Sequence, residues 1–174
     1  MITVASSFSL LYFRVSRRAC SLAHSTTPLL VIDIQKSYIT KYETDIVQRI
    51  NERIMEAQKA QYDIVYIKNT KKLRSGMVTD EFADDLILAS DNVFCKRQAD
   101  AFSSEELISY LKSKGVSEIE MIGVDGNSCI KASAKGAVKC GFIVSILLRC
   151  VGVSNLSRFE KTKEDLEKIG IIIK

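Results

Sequence analysis

Histidine is almost absent from this chain: His24 is the only one in 174 residues, and it stands in the N-terminal stretch. That scarcity excludes a histidine general base, a Ser-His-Asp triad and a metal held by several imidazoles. Proline is as rare, with Pro28 alone, so no proline-rich linker divides the chain, and no segment repeats. The five cysteines, Cys20, Cys95, Cys129, Cys140 and Cys150, form no CxxC pair and are odd in number. Neither a disulfide framework nor a zinc site is implied, and a reducing compartment fits best.

Acidic residues are missing before Asp33. Residues 1–28 are instead rich in Ser and Arg, and their apolar run from Phe8 to Val15 is too short to span a bilayer. Positive charge follows that run, whereas a secretory signal carries it in front. The segment reads as an N-terminal extension: a disordered tail, a mis-assigned start or an organelle transit peptide. The expected location is the cytoplasm, or mitochondria if the extension is a transit peptide. The net charge of +4 traces largely to Arg14, Arg17 and Arg18, and the rest of the chain is nearly neutral. With no basic stripe interleaved with aromatics, neither nucleic acid nor a membrane is an expected partner.

What is present is apolar content of 47%, enough to fill one core without disulfides. From Pro28 onward, short buried runs alternate with amphipathic segments, which predicts an α/β fold with a parallel sheet in one domain over residues 29–174. The strands are expected at Leu29–Ile32, Asp63–Ile67, Asn92–Cys95, Ile119–Val124, Phe142–Leu148 and the terminal Ile171–Ile173. Ile46, Val47, Ile50, Ile54 and Met55 recur at helical spacing within 43–60. Further helices are expected after the Ser103-Ser104 cap up to Gly115, from near Asn127 to Gly141, and over roughly Lys161–Lys168.

In such sheets ligands bind beyond the carboxyl ends of the strands. Three unusual residues fall there: Asp33 interrupts the first strand (LLVIDIQ), Lys96 follows NVFC, and Cys129 follows IEMIGV at the mouth of a helix. A thiol in a first helical turn near an ammonium is expected to have a lowered pKa. Taken singly, each residue has an ordinary structural reading. Together with their neighbours they carry more. Val31-Ile32-Asp33-Ile34-Gln35 with Tyr38, then Lys96-Arg97-Gln98-Ala99-Asp100-Ala101-Phe102, then Gly123-Val124-Asp125-Gly126-Asn127-Ser128-Cys129-Ile130 resemble, in order and spacing, the three motif blocks of the isochorismatase-like cysteine hydrolases.

The resemblance covers residues 29 to about 154 and implies a three-layer αβα sandwich around a mostly parallel, six-stranded, Rossmann-like sheet. It implies Asp33, Lys96 and Cys129 as catalytic residues, backbone N–H groups of Asp125 and Cys129 as oxyanion donors beside a cis Val124–Asp125 peptide, and Tyr38, Phe102 and Val124 beside the substrate. The reaction so implied is amide hydrolysis through a Cys129 thioester. In that scheme a thiol modified rapidly near neutral pH, and more slowly in Asp33→Asn, would mark activation. A homo-oligomer acting on a small molecule is expected by the same resemblance, and no cofactor.

The chain also departs from the family. Where the similar nicotinamidase branch carries an Asp-x-His metal sequence, this chain reads Lys68-Asn69-Thr70-Lys71, so no metal and not nicotinamide are expected. Asp100 replaces a serine, and Asp125-Gly126 replace the usual Ala/Thr residues; an acid at 125 would favour an amino-bearing substrate or else face solvent. Isochorismatases proper cleave a vinyl ether without a nucleophilic thiol, so Cys129 favours C–N hydrolysis. Two other readings stand beside amide hydrolysis: a catalytically silent relative acting as an oligomeric binding module, and a redox-sensitive cysteine protein.

Overall fold

Leu29–Ile32 (β1) is apolar at every position, and all four residues are buried. A strand of this kind is covered on both faces. Its register shows how: Leu29–Ile32 pairs in parallel with Ile64–Ile67 of β2 (Ile64–Leu73) on one side and with Glu120–Gly123 of β5 on the other, where β3 is Gly76–Thr79, β4 is Val93–Lys96 and β5 is Glu118–Val124. The computed structural model describes residues 27–73 and 76–174, and side chains outside 71–79. The N-terminal extension up to residue 26, with His24 and Cys20, lies outside the described residues.

With β6 (Ile143–Gly152) and β7 (Ile172–Ile173), six strands run parallel in the order β4-β2-β1-β5-β6-β7. The expected six-stranded, Rossmann-like sheet is present. β3 is an addition that the alternation did not signal: it folds back antiparallel on the far end of β2, pairing Thr70 with Thr79. Accordingly β2 runs six residues beyond the expected Ile67, through the largely polar run Lys68 to Lys72 that pairs with β3.

The pleat sends alternate side chains to opposite layers. Leu29, Val31, Tyr66, Ile122 and Val124 pack with Ile46, Ile50 and Ile54 of α2 (Ile46–Lys59), which follows the short α1 (Lys36–Ile39). Leu30, Ile32, Met121 and Ile146 pack on the other face with α3 (Glu105–Ser113), α4 (Lys131–Lys139) and α5 (Leu156–Glu167). Each fully buried Leu or Ile contributes roughly 1.5–3 kcal/mol, so the two apolar layers dominate stability. Among the described residues no helix is long and apolar enough to cross a membrane.

Between β1 and β5 the strand order reverses, and the crevice beyond their carboxyl ends is where this architecture places a ligand. Gly123 keeps these two strands close. Its φ is +127°, and a Cβ there would collide with the backbone of Ile32. Gly123→Ala is expected to lower stability by more than about 2 kcal/mol, read from the urea midpoint.

Candidate active site

Asp33 follows β1 directly and adopts a left-handed φ of +58°, a conformation that Asp tolerates better than most residues. Gln35, buried two residues on, fastens this turn: its Nε2 donates to the carbonyls of Asn69 (3.2 Å) and Asp80 (2.9 Å), and its Oε1 accepts from Asn69 N (2.7 Å). The Asp33 carboxylate thereby faces inward. Its Oδ2 lies 2.8 Å from Lys96 Nζ, with both side chains almost wholly buried. The ammonium also donates to the carbonyls of Gln98 (3.2 Å) and Ala99 (3.3 Å), so its three protons meet three oxygens.

The loop that supplies those carbonyls is itself pinned. Ser133 Oγ of α4 donates to Ala99 O (3.4 Å) and accepts from Ala101 N (2.9 Å), and Asp100 Oδ1 caps the short 3-10 turn Ala101–Ser103 by accepting from Phe102 N (2.8 Å). Asp100 lies against Gly136, where any Cβ would collide with its carboxylate. Asp100, which stands in place of the family's serine, is thus a brace for the lysine loop.

Cys129 sits in a π turn, Gly126–Ile130, at the head of α4. A π turn interrupting a helix is a frequent feature of functional sites. Ser128 N and Ile130 N both donate to Asp125 O at 3.1 Å, while the N–H of Cys129 between them is not part of that pair. The preceding Val124–Asp125 peptide is cis. Asn127 ties the turn to α5, donating to Asn155 O (2.8 Å) and accepting from Thr162 Oγ1 (2.9 Å).

The thiol and the Asp33–Lys96 pair share one electrostatic environment. Burial raises the Asp33 pKa, against the lowering effect of Lys96 and of hydrogen bonding with Cys129. The Cys129 pKa is also raised, first by burial and then by the Asp33 charge, with Lys96 opposing. A lowered thiol pKa is the expectation from the sequence; burial and the Asp33 charge raise it instead, against the opposing ammonium of Lys96. Oδ1 of Asp33 is buried with no aligned hydrogen-bond partner. A carboxylate with a raised pKa and an open oxygen beside a thiol is suited to take its proton.

Asp33 and Cys129 form the floor of a hollow of about 420 Å³, walled by Tyr38, Tyr42, Val124 and Asp125, with Lys41, Ser154, Asn155 and Arg158 around it. Five of the residues singled out in the sequence, Asp33, Tyr38, Val124, Asp125 and Cys129, therefore border one space. Lys96, buried against Asp33, does not line the hollow. Phe102 is placed elsewhere: it is buried in the core against Phe142, ring centroids 5.7 Å apart, and does not reach the hollow. Asp125 is partly exposed, and its carboxylate is engaged within the chain. Its Oδ1 accepts from Asn127 N (2.8 Å), its Oδ2 accepts from Ser154 N (2.9 Å) and Ser154 Oγ (2.6 Å), and its charge helps to raise the pKa of Tyr42.

Lys41, Tyr42, Ser154, Asn155 and Arg158 were not anticipated. The signal for the last three was available: Asn155 is an N-cap whose Oδ1 accepts from Arg158 N at 2.9 Å, so α5 begins at Leu156 and not near Lys161. Asn155→Ala is expected to cost about 1 kcal/mol, measured by thermal denaturation.

The zinc-bearing relative reported below makes a metal site worth testing against these residues. Among the described residues no three His, Cys, Asp or Glu side chains come together. At the end of β2, Asn69 is engaged by Gln35, Thr70 Oγ1 donates to Lys96 O (3.0 Å), and Lys68 lies over the Phe82 ring at 4.5 Å. These residues do not fit a zinc site. The four described cysteines, Cys95, Cys129, Cys140 and Cys150, are free.

Comparison with known proteins agrees with this architecture. A zinc-bound pyrazinamidase of Pyrococcus horikoshii superposes with a TM-score of 0.73 at 22% identity, over 85% of this chain and 98% of that one. An N-carbamoylsarcosine amidase from Thermoplasma acidophilum gives 0.73 at 18% identity, over 86% and 95%. An isochorismatase family protein from Desulfovibrio vulgaris gives 0.76 at 18%, over 86% and 93%. At these identities the likeness is one of fold. In sequence, a maleamate amidohydrolase of Pseudomonas putida strain KT2440 is 30% identical over 86 residues, 49% of this chain and 40% of that protein, so the match spans less than half of that relative's length. The model of the Isochorismatase domain matches residues 27–173. By that match and by its fold, the chain belongs to the isochorismatase-like hydrolase family.

Proposed function

We propose that this protein is an amidohydrolase that cleaves a C–N bond of a small amide or ureido compound through a thioester on Cys129. The observation that carries the proposal is the buried Asp33–Lys96 pair at 2.8 Å coupled to a thiol on the floor of a hollow. Buried charges are costly unless paired, and this pair lies beside a nucleophile and an opening, where catalytic groups belong.

The steps balance as follows. The Cys129 S–H proton passes to Asp33 as sulfur bonds to the carbonyl carbon, giving a tetrahedral oxyanion. The N–H groups of Asp125 and Cys129 are the donors for that oxyanion, and one such donor is worth about 3 kcal/mol. The intermediate collapses as the C–N bond breaks, and Asp33 returns the proton to the departing nitrogen. Water then gives a proton to Asp33 while its oxygen bonds to the thioester carbon. The C–S bond breaks, and the sulfur recovers the proton from Asp33. Lys96 remains charged throughout and holds Asp33 in place.

The test is mass spectrometry of the protein incubated with a library of small amides. An acyl adduct on Cys129 that disappears in Cys129→Ala supports the reading; turnover without any adduct, or adducts spread equally over Cys129 and Cys140, overturns it. A second expectation concerns Asp33. Removing its charge leaves Lys96 facing the thiol, so in Asp33→Asn the pH midpoint for iodoacetamide labelling of Cys129 moves down. The sequence argument alone expects slower labelling; the arrangement in the fold reverses that sign. Turnover falls in the same variant by roughly 10²–10⁴, because the base is gone. A midpoint that moves up would refute the coupling.

A further inference from the structure

Lys41 follows α1 and Arg158 lies in the first turn of α5, and both line the hollow that holds Cys129. Neither forms an ion pair with an acid of this chain, all of whose 21 Asp and Glu residues lie among the described residues. The two acids of the hollow are already engaged. Asp33 is paired with Lys96, and Asp125 is held by Asn127 N and by Ser154 N and Oγ. Two cations therefore line a small space without an ion pair to either of its carboxylates.

The position of Arg158 adds a second, independent reason. The first turn of a helix is the positive end of its macrodipole, where a cation is disfavoured and an anion is stabilised. The first turn of α5 carries no acid at all. An anion seated near Arg158 would meet the guanidinium and the helix terminus together. A guanidinium offers a planar fork of donors that matches a carboxylate, whereas an ammonium acts as a point charge.

We infer that the substrate is an amide or ureido compound carrying a carboxylate at the end remote from the scissile bond, and that Lys41 and Arg158 bind that carboxylate and set specificity. The inference rests on the amidohydrolase reading for the scissile end only. A hollow of about 420 Å³ suits a molecule of this short, two-ended kind. It also replaces the amino-bearing substrate suggested by Asp125 in the sequence, since that carboxylate is turned to Ser154.

Binding tests this without requiring turnover. Full-length Cys129→Ala protein is titrated calorimetrically with malonamate, succinamate and glutaramate, and with the neutral diamide of each. At least one half-amide is expected to bind about tenfold or more tightly than its diamide, a preference that shrinks at high salt. Arg158→Ala and Lys41→Ala should each remove about tenfold of that affinity, and Arg158→Lys should restore part of it. If no half-amide exceeds its diamide, or if the preference survives both substitutions, the inference is overturned. Failure of the amidohydrolase reading shows separately, as selective half-amide binding by a wild-type protein that forms no Cys129 adduct.

Discussion

Replacing Cys129 by alanine is expected to lower kcat/KM for any amide this protein hydrolyses by a factor on the order of 10⁴ or more. The size follows from the mechanism: without sulfur there is no covalent intermediate, and what remains is binding and oxyanion stabilisation around an unactivated water. The same substitution should leave the fold nearly untouched, at a cost on the order of 1 kcal/mol or less, because Cys129 is only half-buried and alanine removes a single heavy atom. Steady-state ammonia release and thermal denaturation, measured on the same preparation, separate the two effects. A loss below tenfold with the fold intact would remove Cys129 from the chemistry and favour a hydrolysis that never passes through the thiol.

Lys96→Met is expected to destabilise the protein by about 3–5 kcal/mol, since it leaves Asp33 buried without its counter-ion. For a domain of this size the melting temperature should fall by roughly 10 °C. The effect carries a pH signature. Burial raises the Asp33 pKa in the folded state above its unfolded value, so this group favours the fold most at low pH and loses that contribution as pH rises through the folded value. Lys96 opposes the rise, and without it the folded pKa climbs further. The destabilisation of Lys96→Met should therefore be small in acid, where Asp33 is neutral in both proteins, and grow towards alkaline pH. The double variant Asp33→Asn with Lys96→Met, which buries no charge, should recover most of the loss. A pH-independent loss, or one under about 1 kcal/mol in the alkaline arm, would mean that the pair is hydrated and not the buried element described here.

The elements most legible in the sequence were those whose burial is two-sided. LLVI, DIVYI and IEMIGV read as parallel strands because their interiors are apolar but for Glu120, and they form the centre of the sheet around β1. The reading weakened as burial became partial. β3 and the outer half of β2 are too short and too mixed, KNTKKL and GMVT, to carry an apolar period. α5 was placed late because Leu156 and Arg158 are exposed and its cap at Asn155 lies in an irregular stretch. The family resemblance sets Phe102 beside the substrate, yet in the 3-10 turn capped by Asp100 it is buried in the core against Phe142.

By itself, the amino-acid sequence determined the α/β class, the order of the strands in the chain and the three chemically unusual residues at strand ends, because apolar periodicity and interruptions of it are local properties. Only the tertiary structure decided that Lys96 is buried against Asp33, that the thiol pKa is raised and not lowered, and that Lys41 and Arg158 line the same hollow. Those are sums over groups far apart in the chain, through Coulomb interaction and loss of solvent, and no window of sequence contains them.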